Sequence, residues 1–268
     1  MYMAFYVTYR ASKKDKNRSQ IARRLHALGC EHIRRAFWKV DESTIRTVTN
    51  VLSTTCLVIL KRRREMERPR FTHNDVGREL GSLVVIAYRV PTPKDSNKIE
   101  QLLKRTPCIR LTRGAYAFTH WHKRFDPNHE LVDAGTFWNH IHEVDDKAIA
   151  VPRLNIVNPA HADNLVKETA NRVEREINAI IEGYRSLHSK MNEREYDRPY
   201  VLGTVRRLRK RFVTLRKKTA FYDRWLQMNL TRLANKPYPT IKKVHSILEE
   251  KYGVVISPGK VQLTTSVF

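Results

Sequence analysis

Lysine and arginine side chains gathered without acidic neighbours are suited to neutralising phosphate oxygens and releasing the counterions condensed on a nucleic acid, a contribution that dominates affinity for such polymers. The sequence gathers them repeatedly. Lys13, Lys14, Lys16 and Arg18 share one short polar stretch, Arg34 and Arg35 adjoin Phe37 and Trp38, and Arg62, Arg63 and Arg64 close an apolar run. Arg10 and Arg89 each follow a tyrosine, and Arg206, Arg207, Arg209, Lys210, Arg211, Arg216, Lys217 and Lys218 crowd a single segment that contains no Asp or Glu. A solvated helix face ordinarily interleaves both signs, because like charges three or four residues apart repel. The last segment is therefore read first as a phosphate-contacting helix, able to enter a major groove or track a backbone, and only second as a solvated face. Phe37 and Trp38 could stack on bases beside Arg34 and Arg35, although on an alternating strand one of them points inward and serves the core.

A metal site is the competing chemistry. His120, His122, His129, His140 and His142 lie near Asp126, Asp133, Asp145 and Asp146, and imidazole with carboxylate suits zinc or manganese. On a strand His120 and His122 would share a face. On a helix His140 and His142 diverge by about 200°, and no His-Glu-x-x-His is present. Half-exposed histidines flanking Trp121 and Trp138 are the preferred reading, so neither a metal nor a cofactor is expected. A Gly-x-Ser-x-Gly elbow and a Gly-x-x-x-x-Gly-Lys phosphate loop are both absent, and only 9 glycines are available for a nucleotide cradle. Catalysis is not expected. Cys30, Cys56 and Cys108 are odd in number and widely spaced, which suits neither a disulfide framework nor a zinc knuckle; Cys30 and Cys108 read as small buried apolar side chains.

The whole chain is basic. Its 268 residues carry 51 Lys and Arg against 27 Asp and Glu, a formal charge of +24, with a sequence pI of about 10.2. A polyanion, usually nucleic acid, is the partner that best explains such an excess. A hydrophobic content of 41% argues for folded domains. No apolar stretch approaches the roughly 20 residues of a membrane span, and no basic segment precedes an apolar core at the N-terminus, so a cytoplasmic protein without a membrane partner is expected.

The elements that must position these residues come from a repeat. Phe5-Tyr-Val-Thr-Tyr-Arg10 recurs as Val84-Val-Ile-Ala-Tyr-Arg89, and Ile21, Cys30, Ile33 and Arg35 recur as Ile99, Cys108, Leu111 and Arg113, with one residue lost between. Each copy reads strand, basic loop, short amphipathic helix, strand. The first continues with a helix over 42–53 and a strand over 55–60. A further strand is hidden near 37–41 if the copy has four. In the second copy 83–88 is a strand, 91–98 a loop, 99–105 a helix and 109–119 a strand or hairpin. A helix over 131–142 and a closing strand over 148–157 follow, in which Pro152 requires an edge or a bulge. Residues 67–81, charged and containing Pro69, read as a linker. Beyond Pro159 the spacing of Val166, Val173, Ile177, Ile180, Tyr184 and Leu187 predicts a long amphipathic helix. Val205, Leu208, Phe212 and Leu215 predict a second, whose other face holds the basic segment. A helix over 240–252 and a short tail complete the chain. The expected architecture is α+β: two tandem ferredoxin-like (βαββαβ) modules at 1–66 and 82–158, then a helical C-terminal region at 159–268, the two modules packing as a pseudo-symmetric pair.

The strand ending in Tyr-Arg, the basic loop and the helix leading to a Gly or Cys turn resemble the ferredoxin-like fold of small CRISPR-associated adaptation nucleases, over roughly the first 157 residues. That family places an Asp at the end of its first strand for metal-dependent activity. Here Arg10 and Arg89 stand at the matching positions, so the resemblance implies the fold without the chemistry. From Leu83 to about Ala234, the second module followed by helices carrying Val205-Arg-Arg-Leu-Arg-Lys-Arg-Phe212 is similar to the N-terminal region of bacterial chromate-resistance regulators, which implies DNA as the ligand. The expectation is thus a non-catalytic nucleic-acid-binding protein, DNA favoured and possible regulation included. An RNA- or ribosome-associated protein and a metal-dependent nuclease of the adaptation type stand as alternatives.

Overall fold

The computed structural model describes residues 4–10, 18–53, 55–62, 80–90, 92–119, 126, 130–193 and 197–252. The chain divides into two compact units, Met1–Thr169 and Ala170–Phe268.

The first unit is α+β. Its elements run β1 (Phe5–Arg10), α1 (Arg18–Ala27), β2 (Glu31–Arg34), β3 (Phe37–Val40), α2 (Ile45–Val51) and β4 (Cys56–Arg62). The order then repeats as β5 (Leu80–Ala87), α3 (Pro93–Arg105), β6 (Ile109–Thr112), β7 (Ala115–Phe118), α4 (Ala134–Val144) and β8 (Ile149–Ile156). All eight strands form one sheet in the order β2-β3-β1-β4-β8-β5-β7-β6, and every recorded pairing is antiparallel. The second half repeats the strand order of the first in reverse, and the halves join where β4 pairs β8 at Leu60↔Ile156, Lys61↔Asn155 and Arg62↔Leu154.

Position in the sheet explains the apolar runs. β1 lies between β3 and β4, and β5 between β8 and β7, so neither is an edge strand, and successive residues of each are buried, which is burial on both faces. Val7, Tyr9, Leu25, Cys30, Trp38, Val40, Val48, Leu52 and Leu57 form the helix-covered core of the first half. Ile86, Tyr88, Ile99, Cys108, Tyr116, Phe118, Phe137 and Ile141 belong to that of the second. Cys30 and Cys108 are buried in equivalent places. The alternate residues Tyr6, Thr8, Phe37, Val58 and Leu60, and Val85, Ala87, Leu111 and Ala117, are buried as well; period-two alternation puts them on the opposite face. There Tyr6 stacks on Phe37 with ring centroids 5.4 Å apart. β1 and β6 lie far apart in strand order, yet their ends meet: the Thr112 hydroxyl donates to the Tyr9 carbonyl at 3.4 Å.

Several boundaries differ from the sequence expectation. The run over 31–40 is a hairpin turning at Arg35-Ala36, which supplies the hidden strand. The linker loses Leu80 and Gly81 to β5, and residues 67–79 lie outside those described. α3 begins at Pro93, ahead of the expected 99, because Thr92 caps it by accepting from the Asp95 amide and proline is tolerated at the first helical position. Pro152 sits on a central strand, and it does so at a bulge: Val85↔Val151 and Leu83↔Leu154 leave Pro152 and Arg153 opposite Val84 alone.

In the second unit the long helix α5 (Pro159–Glu193), whose residues to Thr169 belong to the first unit, is followed by α6 (Arg198–Leu226), α7 (Leu230–Ala234) and α8 (Tyr238–Tyr252). Val173, Ile177, Ile180, Tyr184 and Leu187 of α5 and Val205, Leu208, Phe212 and Leu215 of α6 are buried, each set at helical spacing. Gly183 admits close approach, since a Cβ there would stand 2.7 Å from Leu208 Cδ2. α7 was not foreseen; its start is held by the Asp223 carboxylate, which accepts from the Leu230 and Thr231 amides at 2.6 and 2.8 Å. Among the described residues no helix is long and apolar enough to cross a membrane. The tail over 254–268 lies outside those residues.

Candidate nucleic-acid interface

In the first unit the repeat brings two hairpin turns together. Arg35, at the β2–β3 turn, has φ 52, and Gly114, in the β6–β7 turn after Arg113, has φ 84. A Cβ on Gly114 would stand 2.5 Å from the Tyr88 carbonyl oxygen and 3.5 Å from Arg35 Nε. The positive φ and the approach to the Tyr88 carbonyl require glycine here, while the Arg35 side chain lies beside it at ordinary contact distance; the Tyr88 amide donates to the Gly114 carbonyl at 2.8 Å.

Two candidate arginines hold this junction. Arg10 donates through Nε to the Leu111 carbonyl at 2.6 Å and through its terminal nitrogens to the Arg110 carbonyl and the Glu168 carboxylate. Arg34 grips Asp145 with both Nε and Nη2, and the same carboxylate accepts from the Arg89 amide at 2.7 Å. Burial alone would raise the Asp145 pKa, but the Arg34 hydrogen bonds and the Arg89 amide outweigh it and hold the carboxyl below its ordinary value. Arg10 and Arg34 thereby spend hydrogen-bonding groups on the second half of the repeat and on Glu168 beyond it.

The surrounding charge is left exposed. Arg35, Arg89, Arg110 and Arg113 are all exposed, and among the described residues none of them is ion-paired. Partial burial, then the charges of Arg113 and Arg89, opposed by Tyr88 and joined by Arg34, push the Arg35 guanidinium below its ordinary pKa. The group therefore sits where like charges converge. Arg110 and Arg113 stand outside the residues picked from sequence. For Arg113 the repeat carried the signal, as the counterpart of Arg35; Arg110 lies alone in an apolar strand and gave none. Arg62 is exposed at the end of β4. Arg18 opens α1, its side chain beyond description, and Lys13, Lys14, Lys16, Arg63 and Arg64 lie outside the described residues.

In the second unit α6 displays a separate basic surface. Arg206, Arg207, Lys210 and Arg211 are exposed opposite the buried Val205, Leu208 and Phe212. Arg209 is half-buried beside Tyr184 and His245. Burial pushes the Tyr184 phenol up to about 12, against the opposing effect of Arg209. Burial, with Arg209 adding to it, lowers His245. Arg216 donates to the Tyr238 hydroxyl at 2.9 Å and lies over the Phe212 and Tyr238 rings at 6.0 and 5.5 Å; Lys217 is half-buried. Lys218 leaves the candidate surface altogether. Its side chain is 1% exposed and its Nζ lies 2.5 Å from Glu176 Oε2. Helical spacing from Leu215 and Tyr222 turns it to the packed face.

Part of the histidine region falls among the described residues. His140 and His142 are exposed on α4, with His142 stacked on Trp138 at 5.3 Å. Asp133 caps α4 by accepting from the Thr136 amide at 2.6 Å, and Asp126 accepts from the Leu131 amide at 2.6 Å. His120, His122 and His129 lie outside the described residues. Among those described, no group of three or more His, Cys, Asp or Glu could hold a metal ion. No protein-family model, curated protein or solved structure matches the chain.

Proposed function

We propose that the protein binds nucleic acid without cleaving it, in the cytoplasm, and that α6 is its principal phosphate-contacting element. The observation that carries this reading is the distribution of charge on α6. Arg206, Arg207, Lys210 and Arg211 are exposed on a helix packed by its other face, and no acidic residue occurs between Asp197 and Asp223. A helix whose only interest is solubility gains from mixed signs; a helix that meets phosphates gains from one. The two β-α-β-β-α-β halves support reading each as a ferredoxin-like module, with Arg10 and Arg89 at the strand ends where the resembling nucleases carry carboxylates. DNA is favoured through the similarity of the second half and following helices to chromate-resistance regulators.

The test is the salt dependence of binding. Replacing Arg206, Arg207, Lys210 and Arg211 with Gln should flatten the slope of log affinity against log salt by about 0.9 for each lost phosphate contact on duplex DNA, with the melting temperature unchanged. Wild-type affinity and slope in the folded variant would remove α6 as the phosphate-contacting element. Competition among duplex DNA, structured RNA and single strands identifies the preferred polymer.

A further inference from the structure

The junction of the two hairpin turns lies in a different unit from α6, and the α6 interface does not use its exposed charge. Its arginines are built into place. The Arg35 backbone takes up a left-handed conformation that non-glycine residues adopt only where surroundings hold them, and its side chain rests on the bare Gly114 backbone. Arg89 follows β5 with its amide fixed on Asp145. The backbone next to Arg110 and Arg113 is fixed as well, because the Arg110 and Leu111 carbonyls accept from Arg10. The acidic groups within the cluster, Asp145 and Glu168, are engaged by Arg34 and Arg10, so they do not neutralise the outer guanidinium groups. Arg89 and Arg113 of the second half come close enough to act on the charge of Arg35 from the first, and Arg110 is exposed on β6, three residues before Arg113. Such an arrangement costs repulsion in the free protein, and that cost is relieved by an anion bearing several negative oxygens.

We propose that Arg35, Arg89, Arg110 and Arg113 form a second anion site that takes closely spaced phosphate groups, supplied by a nucleic-acid strand or a free polyphosphate. Guanidinium groups suit this role because their planar forks donate bidentately to phosphate. Approach from both halves favours neighbouring phosphates over a single one. The proposal rests on the nucleic-acid reading only for the first of those two sources.

The experiment uses the full chain with R35Q/R113Q, with R89Q/R110Q as a second variant that leaves both turns untouched, and with R23Q/R24Q on the exposed face of α1 as a control. The probes are a labelled oligonucleotide, followed by anisotropy over a salt series, and inorganic tripolyphosphate, followed by calorimetry. Each double variant should weaken oligonucleotide binding by roughly tenfold and lower the salt slope by about two. Tripolyphosphate heat should disappear in the same variants and persist in R23Q/R24Q and in the α6 variant. If oligonucleotide binding is lost only in the α6 variant, and both junction variants bind both probes as wild type does, the second site is overturned while the nucleic-acid reading stands. If tripolyphosphate binds through the junction arginines and no oligonucleotide binds any form, the anion site stands and the nucleic-acid reading falls. Wild-type protein that binds neither probe overturns both.

Discussion

Lys218 shows how composition and position part company at the level of one residue. In sequence it extends the basic run from Arg206, yet helix periodicity carries it to the packed side, where Glu176 of α5 accepts its ammonium. Glu176 keeps 28% of its side chain in solvent, so the loss on removing Lys218 is mainly that of a packed side chain and its charged hydrogen bond. K218A should therefore lose about 2 kcal/mol of stability in chemical denaturation with no change in nucleic-acid affinity. K210Q, on an exposed residue, should weaken binding and leave stability within about 0.5 kcal/mol; the opposite pattern would reverse the two assignments. His245 gives a pH test. Burial and Arg209 hold its folded pKa below the ordinary 6.5, so the unfolded chain binds the proton more readily. Stability is full above the unfolded value and falls as pH drops through it toward the lower folded value. His161, also lowered by burial, acts in the same direction. Melting temperature should decline between roughly pH 7.5 and 5.5, and H245Q should flatten part of that decline; an identical slope in the variant would exclude His245 as a contributor. The basic residues were legible one by one. Their acidic partners Asp145, Glu168 and Glu176 were not, because only the tertiary fold brings such distant residues together.

Among the elements, legibility followed periodicity. The long stripes of α5 and α6 and the apolar runs of β1 and β5 stand where alternation and helical spacing put them. The failures were caps and turns. The start of α3 was hidden because Pro91 and Pro93 read as loop, although Thr92 caps the helix by accepting from the Asp95 amide and donates its hydroxyl to the Asp95 carboxylate. α7 was missed because the carboxylate of Asp223 that starts it lies seven residues upstream of Leu230, outside any local capping pattern. The β6–β7 turn makes the sharpest demand, since Gly114 combines a φ of 84 with a 2.5 Å approach to the Tyr88 carbonyl. G114A should cost more than about 1 kcal/mol in chemical denaturation; a fully stable G114A would contradict this account of the turn.

At the scale of the first unit, the repeat in sequence announces two copies but not how they join. β4 and β8 are short apolar runs with no pattern to choose a partner, and pairing them into one sheet is decided by tertiary packing. The consequence can be tested by dividing the chain between the halves. Each half keeps a helix-covered core of its own, so fragments 1–66 and 78–169 should each collapse and form secondary structure. Each fragment would nevertheless leave an open strand edge, β4 in one and β8 in the other, ready to pair with another chain. Each would also uncover buried residues away from its helices, among them Tyr6, Phe37 and Leu60 in the first and Val85, Leu111 and Ile156 in the second. Arg10 would lose Glu168 and the β6 carbonyls, and Arg34 would lose Asp145. The fragments should accordingly self-associate or aggregate when alone and elute as one defined complex when refolded together, with sharp near-ultraviolet signals absent from either alone. R34Q in the first fragment should weaken that association, since it leaves the buried Asp145 carboxylate without its cation. Two stable soluble monomers with no affinity for one another would mean that the β4–β8 seam and the arginine contacts do not hold the halves together.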